Sequence, residues 1–132
     1  MDKKGLIQIV DDNAEYLELL AQFLEQHGFQ TISAKNGREA VELAIEYQPE
    51  LVLMDLNMPE MNGYDATRAI HAHRHGRKIP IVALSADCAY GFERCAFEVG
   101  FIAFLAKPFE PESLLKIVTK VLTSDVKSRR AA

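Results

Sequence analysis

Leu51-Val52-Leu53-Met54, followed at once by Asp55, is the stretch on which the fold turns. An unbroken apolar run this short is too brief for a helix and lacks the alternation of a half-exposed strand, so it reads as a strand buried on both faces. Strands of that kind belong to parallel sheets with helices on either side. Asp55 then stands at the strand's carboxyl end, as its last residue or the next.

Working outward, the same signature recurs. Gly5 to Val10 is a short apolar run ending in Asp11-Asp12, and Ile79 to Leu84 is a buried strand ending in Ser85, with Pro80 at its start where a missing N–H does least harm. Phe101 to Leu105 is a strand running into Lys107-Pro108, and Phe29 to Ala34 alternates as a more exposed strand would. Between them lie helical patterns. Asp12-Asn13-Ala14-Glu15 opens the first as an N-cap with a capping-box acid, Tyr16, Leu17, Leu20, Phe23 and Leu24 follow at helical spacing, and His27-Gly28 closes it. Asn36-Gly37 opens the second, which Pro49 ends, and the third runs from about Tyr64 to His73. The fourth is expected over Ala89 to Val99 and the fifth over Pro111 to Leu122.

Strands alternating with helices imply an α/β fold, a doubly wound parallel sheet of five strands with five helices and right-handed crossovers. Ligands bind beyond the carboxyl ends of such strands, where the strand order reverses. In the flavodoxin-like order 2-1-3-4-5 that point falls between the strands ending in Asp11-Asp12 and Asp55.

The chain has 132 residues, fits one domain at residues 1–123, and ends in a polar tail at 124–132 that is expected to fray. A net charge of −4, 48% hydrophobic and 26% charged residues argue against direct nucleic-acid binding. No apolar run reaches the roughly 20 residues that span a bilayer, so no membrane insertion and a cytoplasmic location are expected. Cys88 and Cys95 on one helix would sit about 10.5 Å apart, beyond disulfide reach, and read as reduced thiols.

Carboxylates gathered at one sheet edge repel one another unless a cation sits among them. Oxygen ligands favour a hard divalent ion, Mg²⁺ with Mn²⁺ as the alternative, held by Asp11, Asp12 and Asp55 with the backbone carbonyl of Asn57 completing the shell. Asp55 is the candidate nucleophile toward a phosphoryl group, giving an acyl phosphate. Ser85 would donate its hydroxyl to one phosphoryl oxygen and Lys107 would pair with another. A cis Lys107-Pro108 bond would aim that lysine inward. Alone, each position has an ordinary explanation, since an aspartate after a strand is commonly a helix N-cap and a lysine is commonly solvated. Their joint placement at the ends of consecutive strands favours one reaction site.

With Val10-Asp11-Asp12-Asn13, Met54-Asp55-Leu56-Asn57-Met58-Pro59 with Asn62-Gly63, Ala83-Leu84-Ser85-Ala86 and Ala106-Lys107-Pro108-Phe109 in place, the chain resembles the CheY-like receiver domain of two-component response regulators from Gly5 to about Leu122. The resemblance implies that Asp55 accepts a phosphoryl group from a phosphohistidine on a histidine kinase or histidine phosphotransfer protein. It implies that Asp11 and Asp12 bind Mg²⁺, and that Ser85 and Lys107 read the phosphoryl group. It further implies a switch in which Ser85 moves and Phe104 turns inward, remodelling a face of helix 4, strand 5 and helix 5 that a downstream protein target contacts. Serine and phenylalanine stand where the family often has threonine and tyrosine, so the hydroxyl is kept at Ser85 while Phe104 has none. Asn57 and Asp87 are implied to flank the water path and to favour prompt self-dephosphorylation. Such a protein catalyses its own phosphorylation and dephosphorylation without turning over an external substrate.

Competing readings are narrower. A haloacid-dehalogenase-type phosphatase wants Asp-x-Asp at the first strand end, whereas Asp11 and Asp12 are adjacent. A receiver-like module signalling without phosphorylation would be favoured by loss of an acid or of Lys107, and all are present. His71, His73 and His75 could clasp a transition metal but read as solvated residues at a helix end. The tail's Lys127-Ser128-Arg129-Arg130 reads as solubilising. A freestanding receiver, monomeric or weakly dimeric, and a segment of a hybrid histidine kinase remain alternatives.

Overall fold

The computed structural model describes residues 5–58, 61–85 and 99–123. In chain order these form β1 (Leu6–Val10), α1 (Ala14–Gln26), β2 (Gln30–Ala34), α2 (Gly37–Tyr47), β3 (Leu51–Asp55), α3 (Gly63–Ala72), β4 (Ile81–Ser85), β5 (Ala103–Ala106) and α4 (Pro111–Thr123). The strands make one parallel sheet ordered β2-β1-β3-β4-β5. That is the expected flavodoxin-like α/β architecture, with four helices among the described residues rather than five. Of the fourth expected helix, all but Val99 lies outside the described residues, as do Pro59, Asp87, Cys88, Cys95 and the tail at 124–132.

Two apolar layers flank the sheet. On one side Ile7, Ile9, Leu51, Leu53, Val82 and Leu84 pack with Leu17, Leu20 and Leu24 of α1 and Leu114, Val118 and Val121 of α4. On the other, Val10, Val52, Met54, Ile81 and Ala83 meet Ala40 and Ala44 of α2 and Ala66 and Ile70 of α3. The alternation follows from the period of two in a strand, and with both faces covered β3 is buried at every residue. Burying a Leu- or Ile-sized side chain stabilises the fold by roughly 1.5–3 kcal/mol, so this interior supplies most of the driving force. The small side chains on α2 and α3 let those helices approach the sheet closely, and Gln8 Nε2 donates to the Ala40 carbonyl from within the sheet, 3.2 Å away.

Asparagine starts three helices. The side chains of Asn13, Asn36 and Asn62 accept the backbone N–H of Tyr16, Glu39 and Asp65, at 3.1, 2.8 and 2.9 Å. Each such cap satisfies an otherwise orphaned donor and contributes about 1 kcal/mol relative to alanine. The cap of α1 is therefore Asn13 and not Asp12, which frees the Asp12 carboxylate for other work. At the far end Gly28, with φ 94°, reverses the chain into β2.

β3 ends on Asp55, one of the two placements expected for it, and several other boundaries shift. β4 begins at Ile81 rather than Ile79 and takes in Ser85. β5 begins at Ala103 rather than Phe101, because Phe101 is used as a buried plug, edge-on to the Tyr64 ring at 6.0 Å. His71 is not solvated: it is half-buried, its Nε2 lies 2.9 Å from the Ile79 carbonyl, and a Cβ on Gly100 would come within 2.8 Å of its Nδ1. His71 thus ties α3 to the segment entering β4, while the exposed His73 accepts the His75 N–H. No helix among the described residues is long and apolar enough to cross a membrane.

Candidate functional site

Strand register brings the site together. Val10 pairs with Met54, so Asp11 and Asp55 are level on neighbouring strands; Asp55 pairs with Leu84, and Ser85 pairs with Ala106, which precedes Lys107. Side-chain alternation places Asp11, Asp55 and Lys107 on the parity of the layer that holds α1 and α4, and Ser85 on the opposite one. The ends of β1, β3, β4 and β5 lie side by side because parallel strands end together, which brings Lys107 onto Asp11 although the two are 96 positions apart.

Asp11 and Asp55 are buried and Asp12 is exposed, and one carboxylate oxygen from each lies within 4.8 Å of the others. The Lys107 ammonium donates to Asp11 Oδ2 at 2.7 Å and stands 3.7 Å from Asp55 Oδ1. Two backbone donors complete the arrangement, with the Asn13 N–H on Asp11 Oδ1 at 2.9 Å and the Asn57 N–H on Asp55 Oδ1 at 3.2 Å. Asn57 Nδ2 reaches Ser85 Oγ at 3.4 Å. The Lys107 N–H also donates to the Ser85 carbonyl at 2.7 Å, joining the ends of β4 and β5. The Lys107–Pro108 bond is cis. Phe104 is half-buried and packs against the layer of α2 and α3.

Burial is the largest influence on Asp55 and pushes its carboxyl above the usual carboxylate range. The Asn57 N–H and the Lys107 ammonium pull it back down, and the charges of Asp11 and Asp12 push it up again. One lysine thus compensates three carboxylates incompletely. An oxygen set of this charge and spacing, with an exposed acid at its mouth, suits a hydrated divalent cation.

Tyr16 belongs to this site, although sequence reasoning placed it among the apolar positions of α1. Its ring lies under the Lys107 ammonium, 4.6 Å from nitrogen to centroid, and meets Phe109 edge-on at 6.3 Å. Burial, then the charges of Asp11 and Asp55, push its phenol up to about 12. The available signal was position, one helical turn after Asp12 on the face that returns to the strand ends.

Gly63 is the second residue whose part was missed. A Cβ there would stand 2.5 Å from the Asp55 carbonyl oxygen, so α3 starts directly against the carboxyl end of β3. Of the remaining expected site residues, Asp87 lies outside the described residues.

The chain is similar to known proteins in sequence and in fold. The family model for the response regulator receiver domain matches residues 7–119. The polar-differentiation response regulator DivK of Brucella anthropi is 32% identical over 116 residues, which is 88% of this chain and 94% of that protein. Among solved structures, the receiver domain of the sensor histidine kinase PA1611 of Pseudomonas aeruginosa, with magnesium coordinated in its active-site cleft, superposes with a TM-score of 0.84 at 32% identity, covering 91% of this chain and 98% of that one. The chemotaxis protein CheY4 of Vibrio cholerae gives a TM-score of 0.84 at 28% identity, covering 89% and 98%. With the match spanning nearly the whole chain and the acidic cluster and lysine at the strand ends, this protein belongs to the response regulator receiver domain family of two-component signalling.

Proposed function

We propose that Asp55 accepts a phosphoryl group from a phosphohistidine on a histidine kinase or histidine phosphotransfer protein, in a Mg²⁺-dependent reaction that alters protein contacts. The observation that carries this reading is the convergence of the Asp11, Asp12 and Asp55 carboxylates within 4.8 Å, with Lys107 at 2.7 Å from Asp11 and 3.7 Å from Asp55. Asp11, Asp12, Asp55 and the Asn57 carbonyl would hold Mg²⁺. When bound, the ion supplies charge neutralisation for the transferring oxygens and for the carboxylates that surround the nucleophile.

The protein's own groups do the rest. The Asn57 N–H orients one Asp55 oxygen, which leaves the other as the attacking atom. An Oδ–P bond forms as the P–N bond to the donor imidazole breaks, and the imidazole departs with the electron pair. Ser85 Oγ donates to one phosphoryl oxygen and the Lys107 ammonium pairs with another, so catalysis is positioning and charge stabilisation. Recruitment of Ser85 and inward rotation of Phe104 would then remodel the face of the fourth expected helix, β5 and α4, which a downstream target reads. Asn57 and Asp87 govern water access to the acyl phosphate and hence its lifetime.

The test uses phosphoramidate, which carries the P–N bond of a phosphohistidine, together with Mg²⁺. The expected product is a hydroxylamine-labile phosphoryl group, absent from Asp55→Asn. A label stable to hydroxylamine, or one retained by Asp55→Asn, contradicts the assignment.

A further inference from the structure

Lys107 is asked to do two things in the proposed reaction: to neutralise carboxylates before phosphoryl transfer and to pair with a phosphoryl oxygen afterwards. A lysine is a point charge on a flexible stem of four carbons, and nothing in its chemistry favours one direction. Its stem also arises at the carboxyl end of β5, an edge strand whose residues are all only partly buried. Two carboxylates attract the ammonium, at 2.7 and 3.7 Å, but both would yield it when a phosphoryl group arrives.

The geometry points to Tyr16 as a positioning residue that holds the Lys107 ammonium over the site through its ring face, an inference that rests on the phosphoacceptor reading above. The ammonium stands 4.6 Å from the ring centroid, within the range of a cation–π contact. The ring is held from two sides. Its backbone N–H is capped by Asn13 at 3.1 Å, and the Phe109 ring meets it edge-on at 66°, two residues beyond Lys107. The capped start of α1 and the turn after β5 therefore clamp one aromatic plate beneath one cation.

A ring face suits this task because its attraction is electrostatic and spread over the face. Unlike a carboxylate, it claims none of the three ammonium N–H donors. The cation can turn those donors from carboxylate to phosphoryl oxygens without leaving the plate. The phenol oxygen plays no part in this, so phenylalanine should serve and an aliphatic side chain should not. If Tyr16 were only a packing residue beside Phe109, the aliphatic variant would leave the site unchanged.

Two readouts on the full chain test this. The first is the Hε resonance of Lys107 in the unphosphorylated protein, which the Tyr16 ring current should shift upfield. That shift is expected to persist in Tyr16→Phe and to vanish in Tyr16→Leu, with amide spectra confirming the fold. The second is the rate of phosphorylation by acetyl phosphate with Mg²⁺, followed by intact mass. In that step an Asp55 Oδ–P bond forms, acetate leaves with the electron pair, and no proton is exchanged.

Tyr16→Leu should slow the reaction about fivefold, the equivalent of a partly exposed cation–π contact, and Tyr16→Phe should recover it to within about twofold. Should Tyr16→Leu fail to fold, Tyr16→Met, which can keep a contact with Phe109, replaces it. An unshifted Lys107 resonance in the native chain, a native rate in the aliphatic variant, or equal slowing in Tyr16→Phe overturns the inference. A native chain that takes no phosphoryl group would instead overturn the proposed function, and the resonance would still report where Lys107 sits.

Discussion

Replacing Gly63 by alanine probes how tightly α3 is seated against the carboxyl end of β3. The added Cβ would lie 2.5 Å from the Asp55 carbonyl oxygen, 2.8 Å from Leu56 Cα and 2.9 Å from Leu56 Cδ2. Two of those atoms are backbone. They cannot give way easily, because Asp55 pairs with Leu84, the Leu56 N–H donates to the Leu84 carbonyl at 3.1 Å, and the Gly63 N–H donates back to the Leu56 carbonyl at 3.2 Å. Overpacking of this kind costs about 1–3 kcal/mol. Against it stands a gain of at most about 1 kcal/mol from the higher helix propensity of alanine, reduced at the first position of α3. A net loss of about 1–2 kcal/mol is expected. With a urea slope of roughly 2 kcal/mol per molar, the unfolding midpoint should fall by about 0.5–1 M, read by far-ultraviolet circular dichroism at 25 °C. Because relief must displace either α3 or the strand end, phosphorylation should slow as well, since misplacement by about 1 Å can cost about a hundredfold. A midpoint equal to or above that of the native chain would refute the reasoning, for it would mean that α3 shifts outward without cost.

Two further predictions concern charge. The Asp55 carboxyl is raised above its ordinary 3.8, so its contribution to stability is fully present below the unfolded value and lost as pH rises through the folded one. In chelator, Asp55→Asn should therefore unfold at a higher temperature than the native chain at pH 7, with the advantage shrinking as pH falls toward 4; an advantage that grows on acidification would contradict the burial argument. Mg²⁺ binding only the folded state at about a hundred times its dissociation constant should add about 2.7 kcal/mol of stability, visible by scanning calorimetry. Asp12→Ala should lose that increment, because the exposed Asp12 carboxylate completes the acidic cluster, and retention of the full increment would remove Asp12 from the ligand set.

The order of elements and the grouping of the acids were legible because they follow from local rules. A buried parallel strand is written as an unbroken apolar run, as in Leu51 to Met54, and its carboxyl end is where a functional side chain can face a ligand. What escaped depends on which distant groups meet. Asn13 and Asp12 are both good caps by residue type, and residue type alone does not say that the helix begins after Asn13. Phe101 has strand propensity, yet the Tyr64 ring recruits it into the core before β5 begins. His71 has the composition of a solvated basic cluster around it, and its contact with the Ile79 carbonyl depends on how α3 sits against the segment entering β4. Tyr16 fits helical periodicity so well that nothing in the pattern marks its second role beneath Lys107.

The most direct test of the central claim is intact-mass spectrometry after incubation with acetyl phosphate and Mg²⁺, on the native chain, on Asp55→Ala and on a chelated control. The account predicts one added phosphoryl group on the native chain with metal, and none on either comparison. An equal gain on Asp55→Ala would contradict it by placing the acceptor elsewhere, and no gain on the native chain would turn the reading toward a receiver that signals without phosphorylation.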